Sequence, residues 1–271
     1  MNHLQNLHQH SLYCDGKDSL EDIILTAIDK GFEAIGFSGH AYTYYTKGTK
    51  LSIEKTDKYK IEAAQLKKKY ADRIKVYCGL EFDMYSLVDL SDYDFLIGSV
   101  HYLLSKGVFI PFDRSAEFVK NVIDTYFGGD GLAYAKEYYR TLAELPKFGK
   151  FDILGHFDII TKHSEKADFF DTECKEYRHA AIEAAEALAG KIPLFEVNTG
   201  AISRGYRTTP YPDPFIIKEL HRLGFGAVIT SDCHDRNYID CYFNEATELL
   251  RSCGFTEKYI ITDDGFKAVE L

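Results

Sequence analysis

A chain of 271 residues, 45% hydrophobic and 27% charged, is long enough to bury one sizeable core, and it has no apolar run near the roughly 18 residues that a membrane helix requires. Its 42 acidic side chains against 32 Lys and Arg leave a formal charge of −10, the wrong sign for tracking a polynucleotide backbone by counterion release. Disorder and membrane spanning are excluded on these grounds, and a nucleic-acid partner is disfavoured. The opening MNHLQNLHQH lacks the basic stretch and apolar run of a secretory signal, so a cytoplasmic location is expected. The six cysteines contain no C-x-x-C pair, which fits reduced thiols. Cys14, before Asp15, and Cys233, between Asp232 and His234, have neighbours that leave a nucleophilic role open.

In chain order, the sequence predicts a strand over 3–8, a helix over 19–30, a strand ending at His40, a helix over 53–71 and strands over 75–83 and 95–103. Helices over 115–127 and 131–145 precede a strand over 152–158, and a helix over 171–190 leads to a strand over 193–199. Helices over 213–223 and 243–253 complete the pattern. Segments 23–40, 216–234 and 246–262 repeat one unit: an amphipathic helix, a Gly, a Phe and an apolar β-branched run. Each reads as a helix with a left-handed Gly cap and a buried Phe, followed by a strand. The strand candidates are nearly continuous apolar runs, as in sheets covered on both faces. About seven β-α units in an α/β chain without a Pro/Ser/Gly-rich linker predict a distorted (β/α)7 TIM-like barrel in one domain over 1–271. The stretches 48–60 and 126–134 read as loop insertions.

The histidines show where the chemistry lies. His8 and His10 form an H-x-H at the end of the first strand, where residues two apart share a face. Asp15 follows in the loop. His40, Glu81, His101 and His156 close the next strands, and Asp232 with His234 closes the seventh. Any one of these could be a rim histidine or a capping carboxylate. All nine at the strand ends where barrel folds build their sites predict a polynuclear metal centre. Imidazole and carboxylate without thiolate suit two to three ions of Zn, Mn or Fe. His3, His163, His179 and His221 fall elsewhere and read as solvated or structural. Lys162, Arg204 and Arg207, in the loops after the fifth and sixth strands, are candidates to hold phosphate oxygens. Tyr42, Tyr44, Tyr45 and Tyr102 are candidates to wall the pocket.

The segments LHQHSLYCDG, FSGH, GLEFD, GSVHYL, GHFD, EVNTG and ITSDCHD together resemble the PHP (polymerase and histidinol phosphatase) superfamily, in its histidinol-phosphatase branch, over essentially the whole chain. The resemblance implies a trinuclear centre. His8, His10, Glu81 and Asp232 would hold one ion, Glu81, His101 and His156 a second, and Asp15, His40 and His234 a third, with Glu81 bridging. It further implies hydrolysis of L-histidinol phosphate in histidine biosynthesis by a hydroxide bridging the metals, with Asp15 or His234 protonating the departing alkoxide. The same ions would serve a phosphoesterase for nucleotides or nucleic-acid ends. A catalytically silent, metal-stabilised interaction module would share the scaffold. Phosphate release from a panel of substrates separates the three.

Overall fold

The computed structural model describes residues 3–46 and 50–271. Its central element is a parallel sheet of seven strands in the order β1 (Gln5–Asn6), β2 (Ala34–Phe37), β3 (Lys75–Asp83), β4 (Phe95–Ser99), β7 (Ile153–Leu154), β8 (Leu194–Asn198) and β9 (Gly226–Thr230). Two antiparallel hairpins accompany it, β5 (Tyr102–Ser105) with β6 (Val108–Pro111) and β10 (Glu257–Thr262) with β11 (Gly265–Glu270). The helices are α1 (Leu20–Asp29), α2 (Ile53–Lys69), α3 (Ala116–Phe127), α4 (Gly131–Leu142), α5 (Lys175–Leu188), the single turn α6 (Gly200–Ser203), α7 (Pro214–Arg222) and α8 (Phe243–Ser252). Among the described residues no helix is long and apolar enough to cross a membrane.

The sheet curls into a nearly closed barrel. Its seam, between β1 and β9, is joined by side chains where a backbone ladder is missing: Asn6 Nδ2 donates to Ser231 Oγ at 2.7 Å, and Ser231 N donates to Asn6 Oδ1 at 3.1 Å. Above them His10 N donates to the Cys233 carbonyl at 2.9 Å.

The helix-to-strand unit is built as its sequence dictates. Gly31, Gly224 and Gly254 have φ of 76°, 84° and 101°. The following Phe32, Phe225 and Phe255 are buried, and each donates its N–H back to the helix, at Ala27, Leu220 and Leu250. This paired closure satisfies the last carbonyls of a helix and aims the chain at the sheet. Two copies lead into β2 and β9. The third departs from expectation: β10 leaves the barrel and folds back on β11, because its apolar side chains cover the barrel floor. There Leu7, Ala34, Tyr77, Phe95, Ile97, Ile153, Leu194 and Val228 fill the lower interior, and Ile261 with Tyr259 and Phe266 of the hairpin packs beneath them. Gln5 Nε2 and Oε1 bond the Ile261 carbonyl and N–H at 3.1 and 2.9 Å.

Further boundaries differ, beginning with the strand expected over 3–8, which pairs only at Gln5 and Asn6. The strand expected over 95–103 stops at Ser99, and the chain turns at His101 into the β5–β6 hairpin. The strand expected over 152–158 pairs only at Ile153 and Leu154, before the chain enters a 3-10 turn at Ile159–Thr161. The segment 126–134 is a helix corner, not an insertion, with Gly128 ending α3 in the left-handed region and Asp130 capping α4 through Ala133 N. Of the insertion expected over 48–60, residues 48 and 49 lie outside the described residues, and α2 starts at Ile53 behind a Ser52 cap.

Candidate metal centre

Above the apolar floor, the barrel interior turns polar. The H-x-H segment follows β1, and after it the chain makes a tight loop in which Cys14 N and Gly16 N both donate to the Ser11 carbonyl. Gly16 is packed so closely on the His10 carbonyl that a Cβ would lie 2.4 Å from its oxygen. This contact turns Asp15 back over His10, with its Oδ1 3.5 Å from His10 Nδ1, 3.6 Å from His40 Nε2 and 3.3 Å from His234 Nε2. Asp232, at φ 43°, is in the left-handed region that aspartate tolerates better than most residues. Its Oδ1 is 3.0 Å from His10 Nε2 and 3.7 Å from His8 Nε2.

Glu81 is the centre of the constellation. Its Oε1 is 3.0 Å from His156 Nε2, 3.4 Å from His101 Nε2 and 3.5 Å from His8 Nε2. Its Oε2 is 2.6 Å from His40 Nδ1 and 3.8 Å from His10 Nε2. Donor atoms within 4.8 Å of one another fall into three groups: His10, Asp15, His40 and His234; His8, His10 and Asp232; and His40, Glu81 and His101. The nine sequence-predicted positions therefore meet at one rim. The grouping differs from the one the resemblance implies, since His10 joins Asp15, and His40 takes the place beside Glu81 and His101. His156 joins only through Glu81.

The donor set fits cations. His8 Nε2, Asp15 Oδ1 and Glu81 Oε2 are buried without a hydrogen-bond partner, although imidazole and carboxyl groups crowd around them. Close approach without hydrogen-bond geometry is what groups facing a shared ion show. Burial acts to raise the carboxyls of Glu81 and Asp15, yet the surrounding imidazoles hold both well below the usual range. Burial also opposes ionisation of Asp232, and Arg204 leads the groups that keep it low. At His40, burial and Lys50 are outweighed by Glu81 and Asp15, which take it up to about 9. A cation has to displace such protons to bind.

A cavity of about 240 Å3 opens over these groups, lined also by Asp113, Ile159, Lys162, Arg204 and Tyr206. Arg204 reaches it from the turn after β8, with Nη2 3.0 Å from Asp232 Oδ2 and Nη1 3.0 Å from His234 Nδ1. Lys162 donates to the Asp113 carbonyl at 2.6 Å and stands over the Tyr206 ring. Arg207 corrects the sequence reading. It lies outside this cavity and is buried, bonded to Thr161 and Thr209 and stacked on Tyr211. A second cavity of about 500 Å3 adjoins the first at Asp15, His40, His101 and Asp113, and is walled by Tyr45, Tyr102 and Phe109. Of the other tyrosines considered, Tyr44 is largely exposed. Burial pushes the Cys14 and Cys233 thiols up to about 11 and 12, the direction that disfavours a thiolate. His163 is buried, bonded to the Arg114 carbonyl, and His3 pairs with Glu33.

Sequence reasoning missed three carboxylates, one of them Asp113 on the wall of both cavities. Asp83 accepts from His101 Nδ1 at 3.1 Å, and Glu196 is 2.8 Å from His8 Nδ1. Asp83 follows Glu81 by two residues, and Glu196 sits inward on β8 inside the quoted EVNTG. The same-face argument applied to H-x-H would have found Asp83.

The PHP domain model matches residues 6–200, and the chain belongs to that family. It is 28% identical to the Schizosaccharomyces pombe protein named "Probable histidinol-phosphatase", over 94% of this chain and 88% of the relative. It is 24% identical to the Bacillus subtilis histidinol-phosphatase, over 84% and 92%. The fold matches the Lactococcus lactis histidinol phosphate phosphatase, solved with zinc, L-histidinol and phosphate, with TM-score 0.74 at 22% identity over 98% and 99% of the two chains. The Listeria monocytogenes structure named "putative histidinol phosphatase hisK" gives TM-score 0.75 at 20% identity, over 89% and 99%.

Proposed function

We propose that this chain hydrolyses L-histidinol phosphate to L-histidinol and phosphate as one catalytic domain over 1–271, with two to three divalent ions of Zn, Mn or Fe held by His8, His10, Asp15, His40, Glu81, His101, His156, Asp232 and His234. The observation that carries this reading is the meeting of nine imidazole and carboxylate side chains, seven of which line a cavity that also receives the cations of Arg204 and Lys162 while His8 and His10 lie buried beneath it. The names of the relatives that align along most of the chain support it.

Ions bound there supply an acidified water and neutralise charge on the phosphoryl oxygens. The protein's own groups do the rest. Arg204 and Lys162 offer N–H donors to equatorial phosphoryl oxygens, Arg204 through two nitrogens of a planar fork. His234, whose Nε2 is 3.3 Å from Asp15 Oδ1 at the cavity, is placed to hand a proton to the departing alkoxide, with the ionised Asp15 orienting its ring. The aromatic walls of the second cavity offer faces to an imidazole, and Asp113, which borders both cavities, offers a carboxylate to the substrate ammonium. A net charge of −10 and small cavities favour a small phosphomonoester over a polynucleotide.

Metal analysis of active protein purified without chelators is expected to give two to three equivalents of transition metal. A value consistently below one removes the polynuclear assignment. Phosphate release is expected to be far faster, in kcat/KM, from histidinol phosphate than from p-nitrophenyl phosphate or nucleoside monophosphates, because remote binding energy is realised only with the full alcohol. A nucleotide turned over with higher kcat/KM overturns the substrate while leaving the metal chemistry in place. No phosphate release from any of them, with Zn, Mn or Fe supplied, points to the interaction module.

A further inference from the structure

We infer that Glu196 is a positioning residue that sets which nitrogen of His8 faces the metal centre, and so governs metal affinity without being a ligand. The inference rests on the metal-centre reading above.

Glu196 lies on β8, fully buried one layer beneath the rim, and both of its oxygens are completely used. Oε1 accepts from His156 N at 2.7 Å and Asn198 Nδ2 at 2.9 Å. Oε2 accepts from Thr230 Oγ1 at 2.7 Å and lies 2.8 Å from His8 Nδ1. An ionised carboxylate is acceptor-only and takes about four such bonds, so His8 must carry a proton on Nδ1. In the neutral ring that a cation requires, the lone pair then sits on Nε2, the buried atom left without a hydrogen bond between Glu81 and Asp232. The arrangement extends to two more ligands. The His156 backbone is held directly. Asn198, whose Oδ1 is fixed by Gly200 N at 2.9 Å, turns its amide to Glu196 and to Asp232 Oδ2 at 3.3 Å.

This geometry makes Glu196→Gln a chemically specific test. His156 N and Asn198 Nδ2 can only donate, so the carbonyl oxygen of the new amide must occupy the Oε1 side. The NH2 group then falls against Thr230 and His8. Thr230 can rotate its hydroxyl and accept, but His8 Nδ1 can accept only by moving its proton to Nε2, where it blocks the metal-facing lone pair. All hydrogen bonds of the metal-free protein survive the change and no volume is lost.

The experiment compares wild type with Glu196→Gln by zinc titration against a competing chelator, by thermal unfolding of metal-free protein, and by long-range 1H–15N correlation of the histidine rings. The variant is expected to unfold without metal at the wild-type temperature, to bind zinc about 10- to 100-fold more weakly at the affected site, and to carry the His8 proton on Nε2. Zinc affinity within about threefold of wild type overturns the proposal, as does a His8 proton on Nε2 in zinc-loaded wild type. The second measurement needs no variant and decides the matter even if Glu196→Gln fails to fold. Wild-type protein that takes up no zinc, manganese or iron overturns instead the metal reading on which the proposal rests.

Discussion

Glu81→Gln is expected to lose most of its metal and to reduce kcat/KM for histidinol phosphate by about three orders of magnitude or more, among the largest effects of any single substitution. The reason is geometric. One carboxylate meets five imidazoles, with His40, His156, His101, His8 and His10 all within 3.8 Å of its oxygens. Two oxygens of a single charged group can face different cations, whereas an amide carries no charge and presents an N–H2 group to one of them. Glutamine keeps the volume, so metal content and activity should fall together while the fold persists. Metal analysis and steady-state kinetics on one preparation check this. Retained metal with retained turnover removes Glu81 from the bridging position.

Arg204→Ala is expected to weaken transition-state binding by about 2–4 kcal/mol, roughly 30- to 900-fold in kcat/KM, with metal content unchanged. The guanidinium reaches the cavity rim between Asp232 and His234, where an incoming phosphoryl group would meet its free N–H donors. Truncation leaves the donor set of the nine rim residues intact, which separates this variant from Glu81→Gln. A kcat/KM within about threefold of wild type, well under 1 kcal/mol, assigns Arg204 to solvated loop charge and shifts attention to Lys162.

The two cases differ in how far the sequence could lead to them. Glu81 ends an apolar run in a strand, and strand-end position is a local signal. So are the Gly-Phe helix closures at Gly31, Gly224 and Gly254, which the structure reproduces in all three copies. Local chemistry does not say where the chain goes next. The strand after Gly254 has the same grammar as the others, but it folds against β11, because a barrel with its lower interior filled by Phe95 and Tyr77 has a floor that needs covering. Arg204 and Arg207 show the same limit on a smaller scale. They are three residues apart in one loop, and only the turn at Gly200–Ser203 decides that the first reaches the cavity while the second is buried behind Thr161. Glu196 and Asp83 went unassigned because a buried carboxylate within an apolar strand looks like an isolated polar residue. Its partner is a histidine in the turn after another strand, 188 residues away for Glu196.

The side-chain seam between β1 and β9 has a consequence for how the centre and the fold support each other. His8 and His10 stand on one bank of that seam and Asp232 on the other, so an ion bound by all three would act as a clasp across it. Below it, the join depends on Asn6 with Ser231, and Gln5 ties β1 to Ile261 of the floor hairpin. Opening of this zipper separates ligands that are more than 220 residues apart in the chain, so no half-open barrel retains the site. Binding energy for the ions would then be drawn entirely from the closed state, and metal loading would hold the seam shut above the side-chain bonds of Asn6 and Ser231.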